Sequence, residues 1–181
     1  KMGQKGFGTF GIVPGRVKTG ERNAITDVPG IRVGHCTVKT EENHTGVTVI
    51  VPGPDNAFAK HYTAAAYIHN GFGKSAGVVQ VEELGTLETP IALTNTLNVG
   101  KVLDAMVEIV IEQCRKDGIE PQSINPVVGE CNDCRINHIQ KRAIGEKEVR
   151  EAFALASEEF EEGDVGAGAG TTCYGMKWNR F

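Results

Sequence analysis

Short runs of β-branched residues that are apolar on both faces constrain the fold of this chain more than any other feature. Residues 45–51 read TGVTVIV and stop at the Pro-Gly-Pro turn 52–54. β-Branched side chains favour extended backbone, and a strand that is apolar on both sides belongs to a sheet covered on both sides. Related patterns predict further strands at residues 24–29, 31–38, 76–81, 90–94 and 125–129.

Two longer segments have the three-four apolar spacing of an amphipathic helix. They cover about residues 101–115, ending before Gly118, and residues 146–159. The apolar residues that define the first are Val102, Leu103, Met106, Val107, Val110 and Ile111. An Ala-rich run at 62–69, which stops at an Asn-Gly pair, predicts a third, short helix. Because strands alternate only partly with helices, we expect an α/β (α+β) layered protein whose long helices cover the sheet.

The composition fits a single globular domain comprising residues 1–181, with a loosely packed arm at 1–22. A formal net charge of −4 excludes the concentrated basic surface that a nucleic acid or an anionic membrane requires, so neither is an expected partner. The sequence has no apolar run of about 18 residues and no apolar core of a secretory signal. Five scattered cysteines, an odd number, fit a reducing compartment, so we expect a cytoplasmic protein.

Cys131 and Cys134 have the C-x-x-C spacing of metal and redox sites. A structural zinc ion takes four ligands, and only His138 and distant cysteines are available to complete the set. A redox pair normally starts a helix, and no helix pattern follows directly. Non-ligand cysteines are therefore the favoured interpretation, and we predict neither a metal nor a cofactor.

The glycine segment, residues 163–170 (GDVGAGAG), is the most distinctive local motif. Its glycines let backbone N–H groups approach a ligand, or let the chain pass through a crowded place, and the pattern alone does not separate the two. It lacks the Gly-Lys-Ser/Thr of a phosphate loop and the following helix of a dinucleotide site. The chain also lacks a G-x-S-x-G motif, so it carries no convincing nucleophile of its own.

A series of short segments runs through residues 23–177 in a fixed order. They are NAITDVPGIRVGH (23–35), TGVT (45–48), NGFG (70–73), VEELG (81–85), PIALTNT (90–96) with VG (99–100), PVVGE (126–130) and VGAGAG (165–170). In content and order they resemble the large (alpha) subunit of the L-aminopeptidase/D-amidase/D-esterase family, which is related to the N-terminal-nucleophile (Ntn) hydrolases.

The resemblance implies a precursor that cuts its own backbone just before a Ser or Thr. That residue becomes the N-terminus of a small (beta) subunit, where its hydroxyl is the nucleophile and its α-amine is the base. Phe181 is then the expected processing site, and residues 163–181 are the run that leads to it. Where the family usually has glycine-rich residues before the nucleophile, this sequence has Trp-Asn-Arg-Phe at 178–181.

The resemblance also implies an αββα four-layer sandwich, completed by the small subunit from the same precursor, and a homo-oligomer of such pairs. The implied activity is the release of N-terminal residues from short peptides, amides or esters through an acyl-enzyme. Two alternatives are an acyltransferase on the same scaffold and a non-catalytic small-molecule binding protein, which the altered residues 178–181 permit. Glu82 and Glu83 are candidates for binding the substrate's free α-amine, although adjacent carboxylates on a turn are more often solvated.

Two residues take catalytic roles from the resemblance. Asn137, in the loop after PVVGE, falls at the family's oxyanion-hole asparagine, and Tyr67 falls near its active-site tyrosine. Both positions follow variable stretches, so Asn132 and Tyr62 are the alternatives. The ordinary interpretations are a turn asparagine and a packed tyrosine.

Overall fold

The computed structural model describes residues 15–172. Its strands are β1 (Arg32–Lys39), β2 (His44–Val51), β3 (Tyr62–Thr63), β4 (Thr86–Leu87), β5 (Ile91–Thr94) and β6 (Val127–Glu130). Its α-helices are α1 (Val78–Leu84), α2 (Val99–Lys116) and α3 (Glu146–Ala154). Short 3₁₀ turns lie at Ile25–Asp27, Thr96–Asn98, Ile139–Lys141 and Gly166–Gly168. The predicted mixed α/β class is confirmed.

Four strands form the main sheet, in the order β1-β2-β5-β6. β1 and β2 are antiparallel, and β2 pairs antiparallel with β5. β5 and β6 are parallel, so that Thr94 lies beside Glu130 where both strands end. A parallel pair needs a long crossover connection, and α2 provides it. β3 and β4 form a separate two-stranded sheet.

α2 and α3 cover one face of the main sheet and build the hydrophobic core with it. Val47 from β2, Met106 from α2 and Val149 from α3 are each fully buried there. Gly34 permits the close approach of β1 to α3 and to the residues after it, because a Cβ at this position would overlap the carbonyl oxygen of Ala152 and lie 2.7 Å from the backbone nitrogen of Ala156. The helices therefore pack on the sheet through a layer of apolar side chains, and Gly34 allows a close backbone contact within it.

The opposite side of the main sheet, the open face, carries Val33, His35, Thr48, Ile50 and Leu93. Strand alternation points these side chains away from the core. Residues 160–171 cross this face, but Ile50 and Leu93 remain half-buried, in contrast to the fully buried valines on the helix side. The open face is therefore the side of the main sheet that α2 and α3 leave uncovered.

The predicted strand at 76–81 is wrong, because this run leads into α1. Ala76 does form an isolated bridge to Val128, but Gly77 has a φ of 79° and turns the chain into the helix. Val78 and Val81 are three positions apart, a spacing that fits one face of a helix. Periodicity does not distinguish strand from helix in so short an apolar run.

The predicted helix at 62–69 is also wrong. Tyr62 and Thr63 pair with Leu87 and Thr86 as β3, and the residues that follow are irregular. Alanine favours a helix by less than about 1 kcal/mol per residue, and a short helix needs a packed face to persist. This run is half-buried at most and has no such face.

The predicted strand at 24–29 is replaced by the 3₁₀ turn at Ile25–Asp27. The Asp27 carboxylate closes this turn by accepting hydrogen bonds from the backbone N–H groups of Arg22 (2.9 Å) and Ala24 (3.1 Å). These bonds, the Arg22 bond foremost, hold the pKa of Asp27 below its usual value. A local side-chain acceptor has therefore competed with strand pairing.

Both long helices are confirmed, with shifted ends. α2 ends before Gly118, whose φ of 71° breaks the helix as predicted. α3 ends at Ala154 rather than at residue 159, because Ser157 pairs with Val33 of β1 through two backbone hydrogen bonds of 2.9 and 3.1 Å. Within residues 15–172, no helix is both long enough and apolar enough to cross a membrane.

Candidate active site

The glycine segment lies against the open face. The N–H of Gly166 donates to Thr37 Oγ1 at 2.8 Å, and the N–H of Ala167 donates to Thr48 Oγ1 at 3.0 Å. A Cβ on Gly46 of β2 would lie 2.5 Å from the carbonyl carbon of Gly166. The glycines therefore serve a close backbone approach to the sheet, and these two N–H groups are occupied by threonine hydroxyls rather than open to an anion.

His35 and Thr48 form a hydrogen-bonded pair beneath the glycine segment. His35 Nδ1 is 2.8 Å from Thr48 Oγ1, and His35 Nε2 is 3.0 Å from the carbonyl oxygen of Glu161. Because a carbonyl only accepts, Nε2 carries the proton, and in the neutral ring Nδ1 accepts the Thr48 hydroxyl. Burial lowers the pKa of His35, which favours that neutral form.

A second histidine, His44 of β2, connects the glycine segment to the sheet through Asp164. His44 Nε2 lies 2.8 Å from Asp164 Oδ1, and the same oxygen accepts the N–H of Gly170 at 3.3 Å. Burial alone would raise the pKa of Asp164, but the bonds from Gly170 and His44 and the charges of His44 and Lys39 lower it. Asp164 is therefore ionised at physiological pH, and its bond to Gly170 joins the two ends of the glycine segment.

A buried polar network surrounds Asn137, which is 3% exposed. Asn137 Nδ2 donates to Asp133 Oδ1 at 3.0 Å, and Asn137 Oδ1 accepts from Asn43 Nδ2 at 2.8 Å. The other carboxylate oxygen of Asp133 accepts from Thr45 Oγ1 at 2.5 Å and from Asn95 Nδ2 at 3.1 Å. The polar network, Asn43, Thr45, Asn95, Asp133 and Asn137, thus joins β2, the end of β5 and the loop after β6 around one buried carboxylate.

The glycine segment ends beside the polar network. The N–H of Thr172 donates to the carbonyl oxygen of Asn132 at 3.3 Å. A Cβ on Gly170 would lie 3.6 Å from Cβ of Asp133 and 3.0 Å from the carbonyl carbon of His44. The main chain therefore reaches residue 172 along the loop that carries Asn137.

A cavity of about 490 Å³ lies between the open face and residues 160–171. Val33, Ile50 and Leu93 contribute apolar side chains from the sheet, and Phe160 and Val165 contribute them from the crossing segment. Its polar lining residues include His35, Thr48, Thr94, Glu130, Cys131, Glu161, Glu162 and Thr171. Its size lies within the usual range for a small-molecule site, about 300–1,000 Å³.

Glu130 lines this cavity, and hydrogen bonds from other groups of the chain hold its carboxylate in place. Its Oε1 accepts the backbone N–H of Lys74 at 3.2 Å, and its Oε2 is hydrogen-bonded to the hydroxyl of Thr96. Thr96 Oγ1 also accepts from Asn132 Nδ2 at 3.1 Å, so its own proton is directed to Glu130. The side chain of Glu130 is thereby fixed by uncharged groups.

The predicted alternatives to Asn137 and Tyr67 have ordinary structural contacts. Asn132 is exposed and caps the N–H of Cys134 at 3.0 Å. The Tyr62 hydroxyl accepts the N–H of Asp55 at 3.1 Å. Tyr67 is 87% exposed, with its ring 6.5 Å from that of His69.

Glu82 and Glu83 are exposed on α1 rather than on a turn, and neither lines the cavity. Phe181, the predicted processing site, lies outside the described residues. Cys134 is exposed and Cys131 is half-buried. Within residues 15–172, no group of three or more potential ligands is placed to hold a metal ion.

Sequence reasoning missed most of this arrangement. Asp133 and the neighbours of Asn137 gave no motif, because the contacts join residues up to 94 positions apart. A signal was present nonetheless: Thr45 and Asn95 are polar residues flanking predicted buried strands, and a polar side chain in such a position needs a buried partner.

The fold of this chain is of the Ntn-hydrolase type, as its similarity to a solved structure shows. The structure superposes with a TM-score of 0.78 on the L-aminopeptidase D-Ala-esterase/amidase from Ochrobactrum anthropi, described as a variant of the Ntn hydrolase fold, at 29% identity over 90% of this chain and 48% of that one. A family model for peptidase family S58 matches residues 23–178. The chain belongs to peptidase family S58.

Other relatives agree. The chain is 34% identical over 175 residues to the beta-peptidyl aminopeptidase BapA of Sphingosinicella microcystinivorans, covering 91% of this chain and 43% of that protein. The PH0078 protein from Pyrococcus horikoshii OT3 has a TM-score of 0.87 and 40% identity over 93% of this chain and 50% of that one. A Burkholderia sp. beta-aminopeptidase has a TM-score of 0.80 and 38% identity, covering 88% and 46%. The chain thus spans about half the length of these relatives, and the family predicted from sequence is confirmed.

Proposed function

We propose that this chain is the larger part of an aminopeptidase-type hydrolase that releases N-terminal residues from short peptides, amides or esters. The relatives include beta-peptidyl aminopeptidases and an L-aminopeptidase D-Ala-esterase/amidase. The observation that carries the proposal is the path of the glycine segment, which leads the main chain to Thr172 beside the loop of Asn137. A scissile bond and a reaction site close to each other are what a self-processing hydrolase requires.

The nucleophile in this proposal is an N-terminal Ser or Thr that is released when the precursor cuts itself near Phe181. An α-amine with a pKa of about 8 lies within the same residue as the hydroxyl and acts as its base. Gly163, Gly166 and Gly170 have φ values of 104°, 53° and 67°. Glycine adopts such dihedrals at little cost, whereas a residue with a side chain would be strained by them. The glycines therefore let the main chain enter the site along a constrained path.

Asn137 is proposed to donate a hydrogen bond to the tetrahedral oxyanion. Its Nδ2 carries two hydrogens, and within the described residues Asp133 is the acceptor for one of them. The carboxylate of Asp133 and the bond from Asn43 Nδ2 fix the orientation of the amide, so its O and N cannot exchange places without losing both bonds. A donor that is preorganised in this way stabilises developing charge without reorganisation.

A small subunit from the same precursor is proposed to cover the open face and so complete an αββα sandwich. Ile50, Leu93 and Val127 are half-buried on that face and gain burial from a second sheet. Further association into a homo-oligomer, a single domain over residues 1–181 and a cytoplasmic location also belong to this proposal. Tyr67, which is exposed on this chain alone, is proposed to join the site only in the assembled protein.

The experiment compares Asn137→Ala with Asn43→Ala in the protein expressed from its complete gene. Turnover of aminoacyl p-nitroanilides is the assay. We expect Asn137→Ala to lower kcat by about 10²–10³-fold, the usual loss for one oxyanion donor. Asn43→Ala removes a member of the same polar network without removing the donor, so its kcat should fall far less.

Equal losses of kcat in the two variants would assign Asn137 a structural role only. Asn132→Ala tests the alternative alignment, and a loss confined to that variant would move the oxyanion donor to Asn132. Thermal melting of each variant separates a folding defect from a catalytic one.

A further inference from the structure

His44 contacts both the proposed oxyanion donor and the glycine segment. Its backbone N–H donates to Asn137 Oδ1 at 3.3 Å. Its side-chain Nε2 lies 2.8 Å from Asp164 Oδ1 and 2.9 Å from Asp164 Oδ2. One residue at the start of β2 therefore connects the amide of Asn137 to the segment that carries the main chain towards Thr172.

Asp164 extends this connection to the end of the glycine segment. Its Oδ1, which faces His44, also accepts the N–H of Gly170 at 3.3 Å. Two residues later, the N–H of Thr172 donates to the carbonyl oxygen of Asn132, in the loop after β6. The last described turn of the segment is therefore held from two sides, by the Asp164 carboxylate and by this loop.

The contact between His44 and Asp164 does not require a charged histidine. An ionised carboxylate only accepts hydrogen bonds, so Nε2 of His44 is the donor. The Nε2 proton is present in the charged ring and in one of the two neutral tautomers. Lys39 Nζ lies 3.8 Å from Asp164 Oδ2, but its side chain is 68% exposed, so its contribution is small. The histidine is therefore the main side-chain partner that ties Asp164 to the sheet.

Self-cleavage requires the peptide bond before the nucleophile to meet the oxyanion donor. The hydroxyl oxygen of the Ser or Thr adds to the preceding carbonyl carbon, which places negative charge on the carbonyl oxygen. The C–N bond then breaks as the hydroxyl proton passes to the leaving nitrogen, and water hydrolyses the resulting ester. A displacement of about 1 Å in such an arrangement can slow the reaction about 10²-fold. The path of the main chain into the site therefore affects the rate.

We propose that His44 and Asp164 are positioning residues for self-cleavage, because they fix the end of the glycine segment relative to Asn137. They act through the path of the main chain rather than on the reacting atoms. His44 is suited to this role because its backbone holds the amide of Asn137 while its side chain holds Asp164. This inference rests on the proposed function, since it names residues that prepare the first step of that function.

Cell-free translation of the complete gene, sampled over time, measures the rate at which the precursor is converted to fragments. We expect His44→Ala and Asp164→Ala each to slow cleavage by about 10-fold, the lower end for a hydrogen bond to a charged group, because both side chains are partly exposed. His44→Gln keeps an N–H donor near the position of Nε2 and should cleave close to the wild-type rate. His61→Ala and Asp104→Ala change exposed side chains before β3 and on α2, and these matched controls should cleave like the wild type.

A double variant tests whether the two residues act as a pair. His44→Ala combined with Asp164→Ala should cleave no more slowly than Asp164→Ala alone, because both changes remove the same contact. Losses that multiply would give the residues separate roles and overturn the pair. Cleavage as slow in His44→Gln as in His44→Ala would overturn the role of the Nε2 donor. Thermal melting of each variant identifies a slow rate that results from poor folding.

The wild-type protein separates this inference from the proposed function. Cleavage of the wild type with unchanged rates in His44→Ala and Asp164→Ala would overturn the positioning role and leave the self-processing hydrolase in place. A wild-type precursor that is not cleaved would overturn self-processing, and the positioning role with it. If Asp164→Ala melts far below the wild type, the comparison of His44→Ala with His44→Gln decides, because both variants keep the carboxylate.

Discussion

Gly46→Ala tests whether the glycine segment depends on close backbone contact with β2. A Cβ at position 46 would lie 2.5 Å from the carbonyl carbon of Gly166 and 2.6 Å from the carbonyl oxygen of Cys36. Ordinary contacts between non-bonded heavy atoms are about 3.5–4.0 Å, so the glycine segment on one side and the β1 backbone at Cys36 on the other must each move away by about 1 Å. Backbone atoms cannot rotate out of the way as a flexible side chain does.

The movement is expected to break the two hydrogen bonds that hold the segment, from Gly166 N–H to Thr37 and from Ala167 N–H to Thr48. At about 0.5–1.5 kcal/mol each, their loss lowers the free energy of local opening by about 1–3 kcal/mol. The open population then rises roughly 5- to 150-fold, because each 1.4 kcal/mol is a factor of ten.

Hydrogen exchange followed by mass spectrometry measures this opening directly. In the full-length protein, a peptide that spans residues 163–170 should exchange roughly 5- to 150-fold faster in Gly46→Ala than in the wild type. Peptides from α2 should be nearly unchanged. Gly100→Ala is the control, because a Cβ there meets no atom within 4 Å. Unchanged exchange in the 163–170 peptide of Gly46→Ala would show that the glycine segment does not depend on close contact with β2.

Three further predictions concern stability. Met106→Ala, in the fully buried core, should lower the free energy of unfolding in urea by about 2–5 kcal/mol; a loss below 1 kcal/mol would contradict the packing. Arg150→Ala removes a pair with Glu112 at 2.7 Å, but both side chains are more than a third exposed, so the loss should be under about 1 kcal/mol and shrink in salt. His35 has a lowered pKa in the folded protein, so the unfolded chain takes up its proton first and stability falls as the pH drops below the ordinary value of 6.5. His35→Gln should flatten that part of the pH–stability profile, and an unchanged slope would exclude His35 as its source.

The sequence predicted the main sheet and the long helices well because their patterns are strong. The β-branched run at 45–51 corresponds to β2, and the three-four spacing after residue 100 corresponds to α2. Both patterns report burial against a face, which is the same physical cause that forms the element. The family resemblance was equally robust, since it rests on many segments in order.

The errors arose where a local feature or a distant partner decided the structure. Gly77, with its left-handed φ, converts the apolar run at 76–81 into the start of a helix. The Asp27 carboxylate closes a 3₁₀ turn at Ile25–Asp27, within the run 24–29 that was predicted as a strand. Ser157 pairs with Val33 of β1, more than a hundred positions away, and so does not continue α3. Periodicity carries none of this information.

The candidate site was predictable only in outline. Asn137 is a candidate only through the family resemblance, and the carboxylate of Asp133 that orients its side chain is visible only in the folded chain. Glu130 appeared in a motif without a role, because its contacts with Lys74 and Thr96 join residues far apart in the sequence.

The proposed mechanism depends on a precursor that cuts itself to release an N-terminal Ser or Thr. Intact-mass measurement and N-terminal sequencing of the protein expressed from its complete gene detect this cleavage. Self-processing gives two fragments, the smaller beginning with Ser or Thr and the larger ending at or just after Phe181. A single uncut chain, or a small fragment that begins with another residue, would contradict the autocatalytic mechanism and favour a binding protein on this scaffold.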